Sequence, residues 1–142
     1  MPLDQFRSSV VTVESEDTVT RAAQIMRERH VGSLVVTHSG RPIGLVTDRD
    51  IVLRVVAEGR DATRYRIAEF LTYSPITVSV TDGIETAAAR MREHGVRRLP
   101  LVDERGIAVG MVTADDLLTV LGSELGAVCE GIENRADADE SR

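Results

Sequence analysis

Laid over itself at a shift of 65 residues, this chain repeats. Thr12-Val13 falls on Thr77-Val78, Asp17 on Asp82, Ala22-Ala23 on Ala87-Ala88, Met26-Arg27-Glu28 on Met91-Arg92-Glu93, and Leu34 on Leu99. The second copy then gains one residue and the shift becomes 66: Gly40 falls on Gly106, Gly44 on Gly110, Val46-Thr47 on Val112-Thr113, and Asp50 on Asp116. The segments leading into each copy also match, Leu3-Asp4-Gln5-Phe6 beside Ile67-Ala68-Glu69-Phe70. Whatever one half folds into, the other must fold into as well.

Each copy reads as β-α-β-β-α. An extended piece (Val10 to Val13; Ile76 to Val80) precedes a helix whose apolar positions are Val19, Ala22, Ala23 and Met26, or Ile84, Ala87, Ala88 and Met91. That spacing buries one helical face and leaves Arg and Glu outside. Asp17 and Asp82 sit near the two helix starts, and Asp82 with Glu85 fits a capping box. Continuous apolar strands follow (Leu34 to Val36; Leu99 to Val102), then Gly-containing turns, then second strands (Ile43 to Val46; Val109 to Val112). Thr47 and Thr113 open second helices with apolar faces of Ile51, Val52, Val55 and Val56, or Leu117, Leu118 and Leu121; Gly59 and Gly122 are expected stops. A unit of this size exposes faces it cannot cover alone, so the two copies should pack together about a pseudo-twofold axis as one mixed α/β (α+β) domain. The expected division is repeat 1 over residues 1–60, a linker over 61–66, repeat 2 over 67–122, and an acidic tail over 123–142 that is partly disordered.

Charge and composition remove several function classes. The net charge of −6 argues against a general nucleic-acid coat, and four aromatics (Phe6, Tyr65, Phe70, Tyr73) are too few for a base-stacking surface. No apolar run approaches the ~18 residues of a membrane span, and the N-terminus does not read as a signal peptide. Cys129 is the only cysteine, which fits a reducing, cytoplasmic setting. Every basic residue other than histidine is arginine, a side chain suited to planar recognition of phosphate, although base composition of the gene gives the same outcome. His30, His38 and His94 are too scattered for a metal site, and no nucleophile elbow, P-loop or zinc-protease motif is present, so no enzyme is expected.

The pattern that carries chemistry is Gly-x-x-Thr-x-x-Asp: Gly44 to Asp50 in copy one and Gly110 to Asp116 in copy two. Both sit where a strand ends and a helix begins, a place where free N–H groups and the helix dipole favour an anion. The threonine can offer a hydroxyl to phosphate or sugar, and the aspartate can accept both hydroxyls of a ribose. Arg49 adds a cation in copy one, and Gly44 or Gly110 lets a flat group near the backbone. The same Thr-x-x-Asp spacing is also that of a helix cap, in which the acid satisfies the backbone of the threonine.

Val-Gly-Ser-Leu-Val-Val, Gly-Leu-Val-Thr-Asp-Arg-Asp-Ile and Gly-Val-Arg-Arg-Leu-Pro-Leu-Val-Asp resemble the motifs of cystathionine-β-synthase (CBS) domains, and Tyr73-Ser-Pro-Ile-Thr-Val-Ser-Val-Thr-Asp82 resembles that family's opening segment. The resemblance, over residues 1 to 122, implies a stand-alone tandem CBS pair, or Bateman module. It implies clefts between repeats that take an adenosine compound (AMP, ADP, ATP, S-adenosylmethionine or a dinucleotide) as a regulatory ligand, with no required cofactor or metal. Carried onto this chain, Asp50 and Asp116 would hold ribose, Thr47 and Thr113 would contact ribose or phosphate, and Arg49, Arg97 and Arg98 would lie near phosphates. Backbone at Thr12-Val13 and Thr77-Val78 would read the adenine edge, with Gly44, Gly110 and Met111 beside the ring. It further implies a homodimer and an unidentified regulated partner protein. The alternative is a structural dimerisation module with vestigial clefts. Copy one has Gly32-Ser33 and Asp48-Arg49 where copy two has Arg97-Arg98 and Ala114-Asp115, so the two clefts should differ electrostatically.

Overall fold

The computed structural model describes residues 1–8, 10–71 and 76–140; Tyr73-Ser74-Pro75 of the opening segment quoted above lie outside the described residues. Two three-stranded sheets form, β1-β2-β3 and β4-β5-β6. Their strands are β1 (Thr12–Glu14), β2 (Ser33–His38), β3 (Arg41–Thr47), β4 (Val78–Ser79), β5 (Arg98–Val102) and β6 (Ala108–Thr113). In each sheet the first pairing is parallel and the second antiparallel. The duplication survives in the register: Val13 pairs with Val36 and Val78 with Leu101, while Ser33 pairs with Thr47 and Arg98 with Thr113. Even the ladder irregularity recurs, between Val36 and Thr37 and between Leu101 and Val102.

Helices α1 (Val19–Arg29) and α4 (Ile84–His94) cover one face of each sheet. Val19, Ala22 and Met26 are buried, as are Ile84, Ala87 and Met91. Ala23 and Ala88, expected on the same faces, are exposed, so each buried stripe is narrower than the sequence suggests. The helix starts also differ from expectation. Thr18 caps α1 by accepting the Arg21 N–H (3.2 Å), and Gly83 stands at the cap of α4. Asp17 and Asp82 instead accept the N–H of Glu14 (3.2 Å) and Ser79 (2.8 Å), closing the turn before each helix, so the Asp82–Glu85 capping box does not form. In the β5–β6 turn, Asp103 accepts the N–H groups of Ile107 (3.0 Å) and Arg105 (2.9 Å); these bonds, the Ile107 one foremost, hold its carboxyl below the usual range.

The lead-ins cross over. The 3-10 turn Leu3–Phe6 joins the core of the second repeat, where Leu3 packs with Val78, Leu99 and Val112. Helix α3 (Ile67–Phe70) joins the core of the first, where Ile67 packs with Val13, Leu34 and Val46. The hydrogen bonds are reciprocal: Leu3 N–H donates to the Asp82 carbonyl (2.9 Å) and Ile67 N–H to the Asp17 carbonyl (3.0 Å). Isolated bridges Pro2–Gly83 and Thr18–Arg66 repeat the symmetry. Val35 and Pro100, on the opposite face of the middle strands, are buried as well, and the Ala108 N–H reaches the Gly40 carbonyl across the repeats (3.1 Å). The two copies therefore share one interlocked structure.

The second helices depart most from expectation. Helix α2 (Asp48–Ile51) passes into a π-helical turn (Val52–Val56), and helix α5 runs over Ala114–Glu140. Val55 and Leu117 are buried, whereas Val52, Val56, Leu118 and Leu121 are exposed. Among the described residues nothing covers these faces. Gly59, at φ +66°, lies in the turn that follows the π-helical segment, but Gly122 does not end α5. A glycine inside a helix costs only about 1 kcal/mol, and the residues after it are compatible with helix, so the tail from residue 123 continues the helix to Glu140.

The crossover makes testable demands. A Cβ at Gly110 would stand 2.5 Å from the Phe6 carbonyl oxygen and 3.2 Å from the Leu101 side chain. Gly110→Ala should therefore cost about 1–3 kcal/mol and raise hydrogen exchange in residues 1–8, read by mass spectrometry. Leu3→Ala, which empties a fully buried site, should cost about 2–5 kcal/mol in denaturant melts. Unchanged stability in both would mean the N-terminal segment does not hold the second repeat.

Candidate functional site

Both Gly-x-x-Thr-x-x-Asp segments form strand-to-helix corners, β3 into α2 and β6 into α5. At each, threonine and aspartate close on one another. Asp50 N–H donates to Thr47 Oγ1 (3.1 Å) while Thr47 N–H donates to Asp50 Oδ2 (3.0 Å). The pair Thr113 and Asp116 repeats this at 3.0 and 2.9 Å. This is a reciprocal capping box, so the structural use of the motif is met in both copies. It engages one carboxylate oxygen. Oδ1 of Asp50 and of Asp116 takes part in no hydrogen bond among the described residues.

The corners are unequal. In copy one, Asp48 N–H donates to the Gly32 carbonyl (3.0 Å), and Asp48 Oδ1 accepts the Arg49 N–H (2.8 Å). The helix start is thus filled by its own carboxylate, which lies over Gly32, 3.1 Å from where a Cβ would be. In copy two, Ala114 N–H donates to the Arg97 carbonyl (2.9 Å), but alanine has no carboxylate to turn back. The Asp115 N–H, at the start of a long helix, is left without a hydrogen bond among the described residues.

A cleft of about 330 Å³ opens beside this second corner. Val96, Arg97, Arg98, Thr113, Ala114 and Asp115 line it from one repeat and Leu45, on β3, from the other. Arg97 and Asp115 form an exposed ion pair at 3.4 Å, and Arg98 has no ion pair among the described residues. The cleft thus combines an apolar wall, a helix start with a free donor, and two guanidinium groups, one of them paired with the Asp115 carboxylate. Together they can take up an anion carrying a flat or apolar group.

The structure brings Arg97, Arg98 and Thr113 into that cleft and puts Asp116 behind Thr113 in the cap. Arg49 is exposed on α2, in the other corner with Thr47 and Asp50. The adenine-reading positions fare differently. Val13 and Val78 are buried core residues, and Thr12 is exposed on the edge strand β1. Thr77 lies in a separate depression with Ile76, Arg90 and His94, and its carbonyl accepts from the Arg90 guanidinium. Gly44 is buried in the ladder opposite Val36, and Met111 is half-buried on β6 opposite Pro100. What approaches Gly110 is the protein's own Phe6-Arg7 backbone. The sequence reading missed Leu45, Val96 and the Asp115 N–H as cleft groups. Strand alternation in Gly44-Leu45-Val46 was the signal for Leu45, and the change from Asp48 to Ala114 was the signal for the free donor. Among the described residues no group of three His, Cys, Asp or Glu could hold a metal ion, and no helix is long and apolar enough to cross a membrane.

Known proteins resemble this chain in sequence and fold. Residues 5–57 and 67–123 each match the CBS domain. The CBS domain-containing protein YhcV of Bacillus subtilis is 35% identical over 114 residues, covering 80% of each chain. The chain spans 59% of another relative, matched at 35% over 115 residues, and 22% and 21% of two relatives named as enzymes. Among solved structures, Hypoxic Response Protein I, described with two coordinated zinc ions, superposes with a TM-score of 0.74 at 32% identity, over 84% of this chain and 98% of that one. The CBS domain protein PAE2072 of Pyrobaculum aerophilum, complexed with AMP, superposes at 0.72 with 28% identity, over 87% and 99%. With two matched segments covering most of its length and the interlocked halves described above, the chain belongs to the CBS domain family, as a tandem pair.

Proposed function

We propose that this chain is a regulatory module that senses an adenosine nucleotide in the cleft at its second corner. The observation that carries the reading is the unequal pair of helix starts: Asp48 fills the first, whereas the second presents the free Asp115 N–H beside Arg97 and Arg98. In this reading the ligand's phosphate meets that N–H and Arg98, its ribose meets Thr113 and the unused Oδ1 of Asp116, and its base rests against Leu45. PAE2072, with AMP bound, supports the ligand class. The same chemistry suits ADP, ATP or S-adenosylmethionine, whose charges differ, and titration separates them. Thr12, Val13, Thr77, Val78, Gly44, Gly110 and Met111 then shape the sheets around the cleft. In this reading the signal passes to a partner protein in the cytoplasm.

The capping boxes favour a second reading, in which the corners are structural only and the module serves assembly. Calorimetry with AMP decides. Arg98→Ala should weaken binding about tenfold, the loss of one charge-assisted contact. Ala114→Asp recreates the self-filling carboxylate of copy one and should abolish binding while leaving the fold intact. AMP binding equal to wild type in the Ala114→Asp protein would place the ligand elsewhere.

Asp50→Ala and Asp116→Ala separate cap from site. Each removes a reciprocal cap and should lower stability by about 1 kcal/mol in chemical denaturation. Only Asp116→Ala should also weaken AMP. Equal loss of affinity in both would show that the aspartates act through the fold.

A further inference from the structure

Asp115 brings both a donor and an acid to the second corner. Its backbone N–H, at the start of α5, has no hydrogen bond among the described residues, and such groups attract an anion. Its carboxylate lies on the same cleft wall, 84% exposed, and reaches Arg97 at 3.4 Å. A phosphate that accepts that N–H therefore sits beside a carboxylate, because both groups belong to one residue. Arg97 and Arg98 are the only basic residues that line the cleft, and Arg97 is shared with Asp115. Two guanidinium groups against one carboxylate leave a single net positive charge. The cleft volume of about 330 Å³ stands near the lower end of the range for ligand pockets, roughly 300–1,000 Å³.

The first repeat supplies the contrast. At the shift of 66 that sets Thr47 on Thr113 and Asp50 on Asp116, Arg49 falls on Asp115, so the two copies carry opposite charges at one position. An acid in the first turn of a helix is favoured by the dipole alone. Asp116 already fills that role and closes the cap, whereas the Asp115 carboxylate bonds to Arg97 and to no backbone N–H among the described residues.

We propose that Asp115 selects the ligand by charge: it admits a nucleoside monophosphate and disfavours the triphosphate. This rests on the adenosine-nucleotide reading of the cleft. An exposed ion pair such as Arg97–Asp115 is weak. One phosphate, held by Arg98 and the Asp115 N–H, draws Arg97 from Asp115 at little cost. Further phosphates add negative charge, find no third guanidinium along the cleft, and are repelled by the carboxylate. Two unit charges about 4 Å apart in water shift an equilibrium roughly fivefold, so the result is a graded preference.

Calorimetric titration of the full chain with adenosine, AMP and ATP tests this, wild type against Asp115→Asn. Asparagine keeps the N–H and the side-chain size and removes the charge. The wild type should bind AMP more tightly than ATP. In the variant ATP should gain about tenfold and AMP about threefold, while adenosine, which has no phosphate, should be unchanged. These gains should shrink at high salt. An AMP-to-ATP affinity ratio that Asp115→Asn leaves as it was, an equal gain for all three compounds, or tighter binding of ATP than AMP by the wild type overturns the selector and leaves the site reading standing. Wild-type protein that binds neither nucleotide overturns the site reading, and the selector with it.

Discussion

Burial of Leu3 against the second sheet and of Ile67 against the first is the interaction on which the rest of the structure depends. A single β-α-β-β-α unit has three strands and one helix packed on them, and its sheet remains open where a second element should lie. Each repeat fills that space with the lead-in of the other. The paired bonds from Leu3 to Asp82 and from Ile67 to Asp17 fix the two halves at two symmetric points. One consequence is that neither half should fold alone, because each lacks an apolar side chain its core requires. Another is that the angle between repeats is held by a few contacts at their margins and by the buried faces of the middle strands, so a cleft between them is a natural product of this topology.

Much of this was legible from the duplication. The strand and helix order followed from periodicity, and the equality of the two halves followed from the matched residues. The exchange of lead-ins was not legible. Leu3-Asp4-Gln5-Phe6 and Ile67-Ala68-Glu69-Phe70 are alike in sequence, and likeness does not say which core receives which segment. The caps were misplaced for a related reason. Asp17 and Asp82 stand one residue before the helix boundary, where an aspartate closes the preceding turn as readily as it caps. Gly110 was read as room for a ligand, yet the same absence of a side chain admits the Phe6 carbonyl. A glycine on a strand signals a close approach without saying what approaches.

Thr-x-x-Asp forms a helix cap in both copies, and in the proposed reading the second one serves the ligand as well. The reciprocal bonds fix the threonine and aspartate rotamers, which is the preorganisation a binding site requires. A cap and a site are therefore not competing explanations at the same corner. What separates the copies is the first residue of the helix. Asp48 supplies an internal anion and Ala114 leaves the position vacant, while Gly32 and Arg97 change sides in step: the copy with its own carboxylate lacks the arginine, and the copy with the arginine lacks that carboxylate. In the proposed reading, divergence after duplication has left the first corner filled by Asp48 and the second, where Asp115 pairs with Arg97, able to take up an external anion.

Helix α5 joins that open corner to the far end of the molecule. Its first turn lines the cleft, and its exposed apolar side chains run from Leu118 to Ile132, which lies roughly 27 Å along the helix from Ala114 at 1.5 Å per residue. In the proposed reading, a ligand between Leu45 and Arg98 touches both repeats and so senses the angle between them. It can shift that angle only by its difference in affinity for the two arrangements. Because the cleft's wall is the start of α5, any such rotation moves the distant stripe by an amount that grows with the helix length. A rotation of a few degrees at the corner becomes a displacement of about 1–2 Å at Ile132. In the proposed reading, ligand binding at the corner is thus expressed as movement of the exposed face of α5.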